Sequence, residues 1–262
     1  MKHLNKKSLL LTVSPDEKLN AVKNAVIKEG LYFGYNPLDD PHYSLGHYLH
    51  RRTPNLYHFQ YGDLADLTNR LQVKFRNEKS FQLKEAPRSA IGPDFKALIV
   101  GGKENFGQIR SITIRLTPLP EKISHIVVLL PNKDAARKVV SHLVGKFCHP
   151  LYFRHAMQSE AKNLLQQLSI NNAKEQILLL SFSGLAEVVM AKKKVLFALC
   201  KEHDFTWFKM NEAEDVKNIT DWIHTQESYR EIREQYRQFL WPSTDNTRQS
   251  DLEKSITQST QF

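Results

Sequence analysis

Apolar and polar residues alternate along residues 109–116, IRSITIRL. A period of two predicts a half-buried strand, with Ile109, Ser111, Thr113 and Arg115 on one face and Arg110, Ile112, Ile114 and Leu116 on the other. The preceding Gly101, Gly102 and Gly107 predict a turn that needs positive φ or close backbone approach. Residues 93–98 form a helical or turn approach to it, and Pro118 and Pro120 end the strand. Upstream, residues 8–13 are a short apolar strand. Ser14-Pro-Asp-Glu reads as a helix start, with Ser14 as N-cap, Pro15 at the first helical position and Glu17 completing a capping box. Leu19, Val22, Val26 and Ile27 give the helical stripe, and Gly30 stops it. Residues 31–33 run extended into a turn-rich loop at 35–41, and a polar, aromatic-rich loop follows at 42–58. Tyr61-Gly62-Asp63 is a turn, 64–71 a short helix or turn, and Leu71, Val73 and Phe75 mark a strand. A turn at 76–79 returns it as a hairpin partner at 81–83, and 84–91 is a polar loop.

Beyond Pro120 the periodicity changes. Residues 123–130 are a strongly apolar strand, Asn132 caps a helix over 133–147, and Ala136, Val139, Val140 and Leu143 make its inner face. A strand at 151–155, a helix at 160–168, a strand at 176–182, a helix at 185–203 and a strand at 205–210 follow. Two β-α-β units with antiparallel returns predict a ferredoxin-like α+β sandwich. Residues 213–239 read as an amphipathic helix, and the Ser-, Thr-, Gln- and Asn-rich tail as disordered. The seam at Pro120 divides the chain into 1–120, 121–240 and a tail, 241–262.

The 262 residues, 41% hydrophobic and 25% charged, suit one large or two small globular domains. No apolar run approaches the ~20 residues that span a bilayer. The basic start, MKHLNKKSLLLTVS, has too short an apolar run for a signal peptide and reads as a strand. Cys148 and Cys200 lack CxxC spacing, which favours two buried thiols in the reducing cytoplasm over a disulfide. A net charge of +9 raises the question of nucleic acid. The basic residues are dispersed, without the interleaved aromatics of a nucleic-acid motif, so a solvated surface that attracts small anions ranks above it. His42, His47, His50 and His58, with Asp39 and Asp40, raise a metal site. Their spacing matches no helical ligand pair, and we assign no metal ligand.

Three successive segments carry a resemblance: LLTVSPDEKLNAVKNAVIKEGLYFGYNPLDDPHYSLGHY, YGDLADLTNRLQVKF and GPDFKALIVGGKENFGQIRSITIRLTPLPE. Their order and spacing resemble FAD-linked oxidases of the vanillyl-alcohol-oxidase, or p-cresol methylhydroxylase (PCMH), type, most of all the glycolate oxidase FAD-binding subunits. Residues 8–210 are covered if the second domain counts. The resemblance implies an α+β chain: a truncated PCMH-type FAD-binding domain over 1–120, then a ferredoxin-like α/β cap domain. It implies FAD contacts at Ser44, Leu45 and Gly46 (the T-x-G turn), at Tyr61, Gly62 and Asp66 (the YG-x-x-x-D segment), and at Gly101, Gly107 and Ile109 (the G-S-E-G-T-L-G-I turn). Gly92, Asp94 and Leu98 match the approach to that last turn, with Pro93 in place of an aromatic.

Departures from the family pattern are as specific as the matches. His47 replaces the second glycine of the first turn, Gly102-Lys103 replaces Ser-Glu, and Glu104 replaces a glycine whose backbone meets an anionic pyrophosphate. No P-x-G-x-G-T or GGH segment occurs, so the family's glycine-rich pyrophosphate cradle is not represented. No catalytic His or Tyr motif can be placed. Two functions follow from the resemblance. One is an FAD-linked oxidoreductase or oxidase subunit for a small anionic 2-hydroxy acid such as glycolate, holding FAD against a partner oxidase subunit or a second copy of the chain. The other is a cofactor-free, degenerate relative with a structural role in an oxidase complex.

Overall fold

The computed structural model describes residues 3–37, 40, 42–75, 80–82, 95–102, 105–157 and 176–210. The expected turn at 76–79, the loop at 84–91, the helices at 160–168 and 213–239 and the tail lie outside the described residues. So do Lys103 and Glu104.

The first part of the chain opens with strands β1 (His3–Asn5) and β2 (Leu10–Val13), helix α1 (Leu19–Lys28) and strand β3 (Leu31–Tyr32). Short helices α2 (Leu45–Arg51), α3 (His58–Tyr61) and α4 (Leu64–Leu67) follow, then strands β4 (Thr68–Lys74) and β5 (Ser80–Gln82). Helix α5 (Phe95–Ile99), strand β6 (Gln108–Arg115) and strand β7 (Thr117–Pro118) complete it. An antiparallel sheet has the order β1-β2-β6-β4-β5, and β3 pairs with β7. The buried stripe Leu19, Val22 and Val26 of α1 joins Leu11, Val13, Ile112 and Ile114 in one core. The strand and the stop at Gly30 (φ +70°) are as the pattern predicts, while Ile27, expected in the helical stripe, is exposed.

The helix expected from Ser14 begins at Leu19 instead. Residues 14–17 close a turn, with Glu17 N–H donating to Ser14 C=O at 3.2 Å. The carbonyls of Pro15 and Glu17 accept from the N–H groups of Gly46 (2.8 Å) and Leu45 (3.0 Å). Those carbonyls serve the open end of α2, so they are not available to an earlier turn of α1. The predicted loop at 42–58 contains the helix α2 and ends where α3 begins. Ser44 caps α2 by accepting from His47 N–H at 3.2 Å, and Leu45, Tyr48 and Leu49 are its buried face.

The second correction concerns β6. Val73 pairs with Ile109 and Gln72 with Ser111, so Arg110 is an extra residue, a β-bulge. Strict alternation sets Ile109 opposite Ile112 and Arg110 beside it. The bulge reverses this: Ile109 and Ile112 are both buried and Arg110 is exposed.

The second part contains β8 (Lys122–Leu130), α6 (Lys133–Gly145), β9 (Tyr152–Met157), β10 (Gln176–Gly184), α7 (Ala186–Glu202) and β11 (Thr206–Met210). The sheet order β11-β8-β10-β9, with every neighbouring pair antiparallel, is the ferredoxin-like arrangement. Asn132 Oδ1 caps α6 by accepting from Ala135 N–H at 2.9 Å. Its own core gathers Ile126–Leu130, Ala136, Val139, Val140, Leu143 and residues of β10 and α7.

Helix α6 ends in paired bonds, Phe147 N–H to Val144 C=O (3.0 Å) and Cys148 N–H to Leu143 C=O (2.8 Å), with Phe147 at φ +56°. Glycine is preferred at that position, and the Phe147 ring is 84% exposed, so it recovers little by packing. Phe147→Gly should therefore stabilise the fold by about 1 kcal/mol in urea unfolding. An unchanged or lower midpoint would mean that the ring makes a compensating contact.

Candidate functional site

The turn at 14–16, the first turns of α2 and the beginning of β6 enclose a cleft of about 610 Å³. It is lined by Ser14, Pro15, Asp16, Ser44, Gly46, His47, His50, Arg51 and residues 108–110. Local structure explains the arrangement. The Pro15 and Glu17 carbonyls hold the 14–17 turn against α2, and the bulge turns Arg110 out of the sheet. Arg51 and Arg110 outnumber the single carboxylate, Asp16, in the lining. The cleft is therefore suited to anionic or strongly hydrogen-bonding groups.

Behind the lining, α2 is held rigidly. Tyr35 Oη donates to Thr53 C=O at 2.8 Å, Tyr48 Oη donates to the Asp40 carbonyl, and the Tyr35 and Tyr48 rings meet edge-on at 5.7 Å. His47, at the position of the family's second glycine, stacks on Tyr43 at 4.1 Å, and its Nε2 is buried with no hydrogen-bond partner. Among the described residues no group of three His, Cys, Asp or Glu side chains is placed to hold a metal ion.

Of the nine residues carried over to FAD, three line this cleft: Ser44, Gly46 and Ile109. Gly107 adjoins it at the start of β6. Gly101 is tied to α2 by its N–H, which donates to Leu49 C=O at 2.9 Å. Leu45 is not among the lining residues: it is fully buried in the first core, and its N–H donates to Glu17 C=O at 3.0 Å. Tyr61, Gly62 and Asp66 lie elsewhere, at the seam between the two sheets. Tyr61 packs against both cores. Gly62 (φ +78°) ends α3, and Asp66 Oδ2 accepts from Asp63 N–H at 3.0 Å in the capping box of α4.

Sequence reasoning missed the cleft's charged lining. Arg110 was assigned to the apolar face, and only the bulge exposes it. It also missed a buried polar row on the second sheet, where Ser181 pairs with both His125 and Tyr152 and the Tyr152 hydroxyl meets His125 Nδ1 at 3.0 Å. Burial pushes the His125 imidazole down to about 4, so it is neutral at physiological pH. No sequence signal joins residues 125, 152 and 181; strand register alone does.

The glycines test how a dinucleotide fits. A Cβ on Gly46 would meet Pro15 Cβ at 2.9 Å, and one on Gly107 would meet Lys74 O at 2.7 Å. Their missing side chains are thus required by the chain itself. Gly101 has room, with Arg52 Cβ at 3.5 Å. Ser44, His47, Arg51 and Arg110 give the cleft polar and cationic groups of the kind an anion needs, with no glycine cradle among the described residues.

No protein-family model matches the chain. The chain is 23% identical over 212 residues to the glycolate oxidase subunit GlcD of Bacillus subtilis (strain 168), covering 78% of this chain and 45% of that protein. It is 24% identical over 98 residues to the FAD-linked oxidoreductase YgcU of Escherichia coli (strain K12), which covers 37% of this chain and 20% of the relative. Among solved structures, an alkyldihydroxyacetonephosphate synthase superposes with a TM-score of 0.70 at 15% identity, over 86% of this chain and 43% of its own. A substrate-bound p-cresol methylhydroxylase does so with a TM-score of 0.64 at 12% identity, over 85% and 49%. The chain thus spans less than half the length of the proteins it matches.

Proposed function

We propose that this chain, whose relatives and structural neighbours are FAD-linked oxidases of the vanillyl-alcohol-oxidase (PCMH) type, is an FAD-linked oxidoreductase or a subunit of one. The observation that carries the proposal is that Ser44, Gly46 and Ile109, carried over independently from the family pattern, converge on one basic cleft. FAD, when bound, supplies the hydride acceptor. Ser44 and His47 would hydrogen-bond its polar edge, and Arg51 and Arg110 would neutralise its phosphates. Region 1–120 then serves the cofactor and region 121–240 caps the substrate. A small anionic 2-hydroxy acid such as glycolate is the substrate class we favour, on the strength of the glycolate oxidase relative and the net charge of +9. A partner oxidase subunit or a second copy of this chain completes the cofactor site. Two free cysteines, Cys148 and Cys200, support a cytoplasmic setting.

The close packing of Pro15 on Gly46 and of Lys74 on Gly107 favours a second reading, a cofactor-free relative that keeps the fold for a structural role. Flavin absorbance separates the two. The protein, purified alone and co-expressed with neighbouring genes, should take up FAD in at least one preparation. Arg51→Glu with Arg110→Glu should then weaken FAD binding by about tenfold or more, ~1.4 kcal/mol. Lys133→Glu with Lys138→Glu, on α6, should leave it unchanged. A colourless protein in both preparations would leave the cofactor-free alternative standing.

A further inference from the structure

Helix α7 carries a lysine in its buried stripe. Val189, Leu196 and Cys200 are fully buried at helical spacing, and Lys193 occupies the same face between them. That face packs on the sheet through Phe197, which stacks on Trp207 of β11 at 4.1 Å with the rings 19° apart. Lys209, two residues beyond Trp207, shares its face of β11, and its Nζ stands 5.3 Å from the Phe197 ring and 5.5 Å from the Trp207 ring. Lys209 pairs with Ile126 of β8. Lys122 lies on that same face of β8, about 13 Å further along the strand, near enough for its charge to act on Lys193. Three lysines from three elements therefore border one basic patch beside the Phe197 and Trp207 rings.

Their charges are felt mutually. Burial lowers the Lys193 ammonium below its ordinary range, and the charges of Lys209 and Lys122 lower it further. None of the three forms an ion pair with any described residue. The carboxylate next to Lys122 is committed elsewhere, Glu121 Oε2 accepting from Ala186 N–H at 3.0 Å where α7 begins. A partly buried cation close to two others is stabilised when an anion joins them.

We propose that this patch of three lysines binds a small multivalent anion of the phosphate type, such as a pyrophosphate group. Three ammonium groups act as point charges with rotatable donors, which suits the many oxygens of phosphate better than a planar carboxylate, the preference of arginine forks. The site lies on the ferredoxin-like part and is independent of the flavin proposal.

Calorimetric titration of the intact protein with inorganic pyrophosphate at about 0.1 M salt tests it. Binding should weaken by about tenfold or more in Lys122→Gln/Lys193→Gln/Lys209→Gln. The equal-charge control Lys133→Gln/Lys138→Gln/Lys146→Gln should change it by less than about twofold. If the triple variant misfolds, the double Lys122→Gln/Lys209→Gln, which touches only exposed residues, should still show a clear loss. Equal losses in site and control variants would reduce the effect to diffuse surface charge and overturn the proposal. Full affinity in the site variant would place the anion elsewhere and also overturn it. Binding seen only after Glu212→Gln/Glu214→Gln/Asp215→Asn would make the chain's own acidic stretch the occupant, again against the proposal.

Discussion

Asn55→Ala should cost the fold about 4 kcal/mol, the largest loss we expect from any single substitution at the seam. Asn55 is 2% exposed and uses its whole side-chain amide. Its Nδ2 donates to Gly34 C=O (2.8 Å) and Gly62 C=O (2.7 Å), while Oδ1 accepts from Asn36 N–H (2.8 Å) and Tyr57 N–H (3.0 Å). Alanine would leave two carbonyls and two N–H groups without partners in a region where Tyr57 stacks on Tyr152 and Phe59 meets Phe153 of the second sheet at a tilt. Each buried group left unpaired costs about 1–3 kcal/mol, with partial rescue by water. The Asn55 backbone N–H also donates to Asp63 Oδ1 at 3.2 Å. Burial pushes the Asp63 carboxyl up, but the hydrogen bond and charge of His58, this N–H and the charge of Arg52 outweigh it and hold the carboxyl below its ordinary range. A carboxyl so depressed stabilises the fold at neutral pH, and its contribution is lost as pH falls through the folded value. Urea unfolding at neutral pH measures the Asn55 effect. A loss under about 1 kcal/mol would mean that water replaces the amide and that the seam is wet.

Gly107→Ala should cost about 3 kcal/mol and disturb the cleft with it. Its φ of +156° disfavours a side chain, and the new Cβ would lie 2.7 Å from Lys74 O and 2.9 Å from Val73 Cγ1. Both neighbours belong to β4, and Lys74 pairs with Gln108, the first residue of β6. Backbone cannot swing aside as a flexible side chain can, so β4 and β6 must separate at the point where the bulge presents Arg110. Gly101→Ala is the control. Its φ of +83° would strain a side chain, but the nearest neighbour of a Cβ, Arg52 Cβ, is at an ordinary 3.5 Å. That change should cost about 1 kcal/mol. A Gly107→Ala loss no larger than the Gly101→Ala loss would refute the steric account of position 107.

Long periodic segments were legible in the sequence because their signals are local. The stripe of α1, the apolar β8 and the Asn132 cap of α6 were each read within a window of a few residues, and the alternation of β-α-β units gave the second sheet's topology. The start at Ser14 was misread because a good cap sequence competes with partners outside the window: the Pro15 and Glu17 carbonyls are taken by α2. Helix α2 itself was readable in principle, since Ser44 precedes apolar residues at 45, 48 and 49. Its histidines and aromatics masked that spacing.

The candidate site divides in the same way. Residue types and order by themselves pointed to the resemblance, to the α+β fold and to Ser44, Gly46 and Ile109, which line one cleft, because backbone turns and strand periods are written in contiguous residues. Only the tertiary structure decided which side chains share a cleft. An extra residue in β6, opposite Gln72 and Val73, moved Ile109 into the core and Arg110 to the cleft. The same packing carried Tyr61, Gly62 and Asp66 away to the seam. It also showed that Gly46 and Gly107 are glycines for the sake of Pro15 and Lys74. Register and close approach depend on contacts between residues dozens of positions apart, and no local pattern contains them.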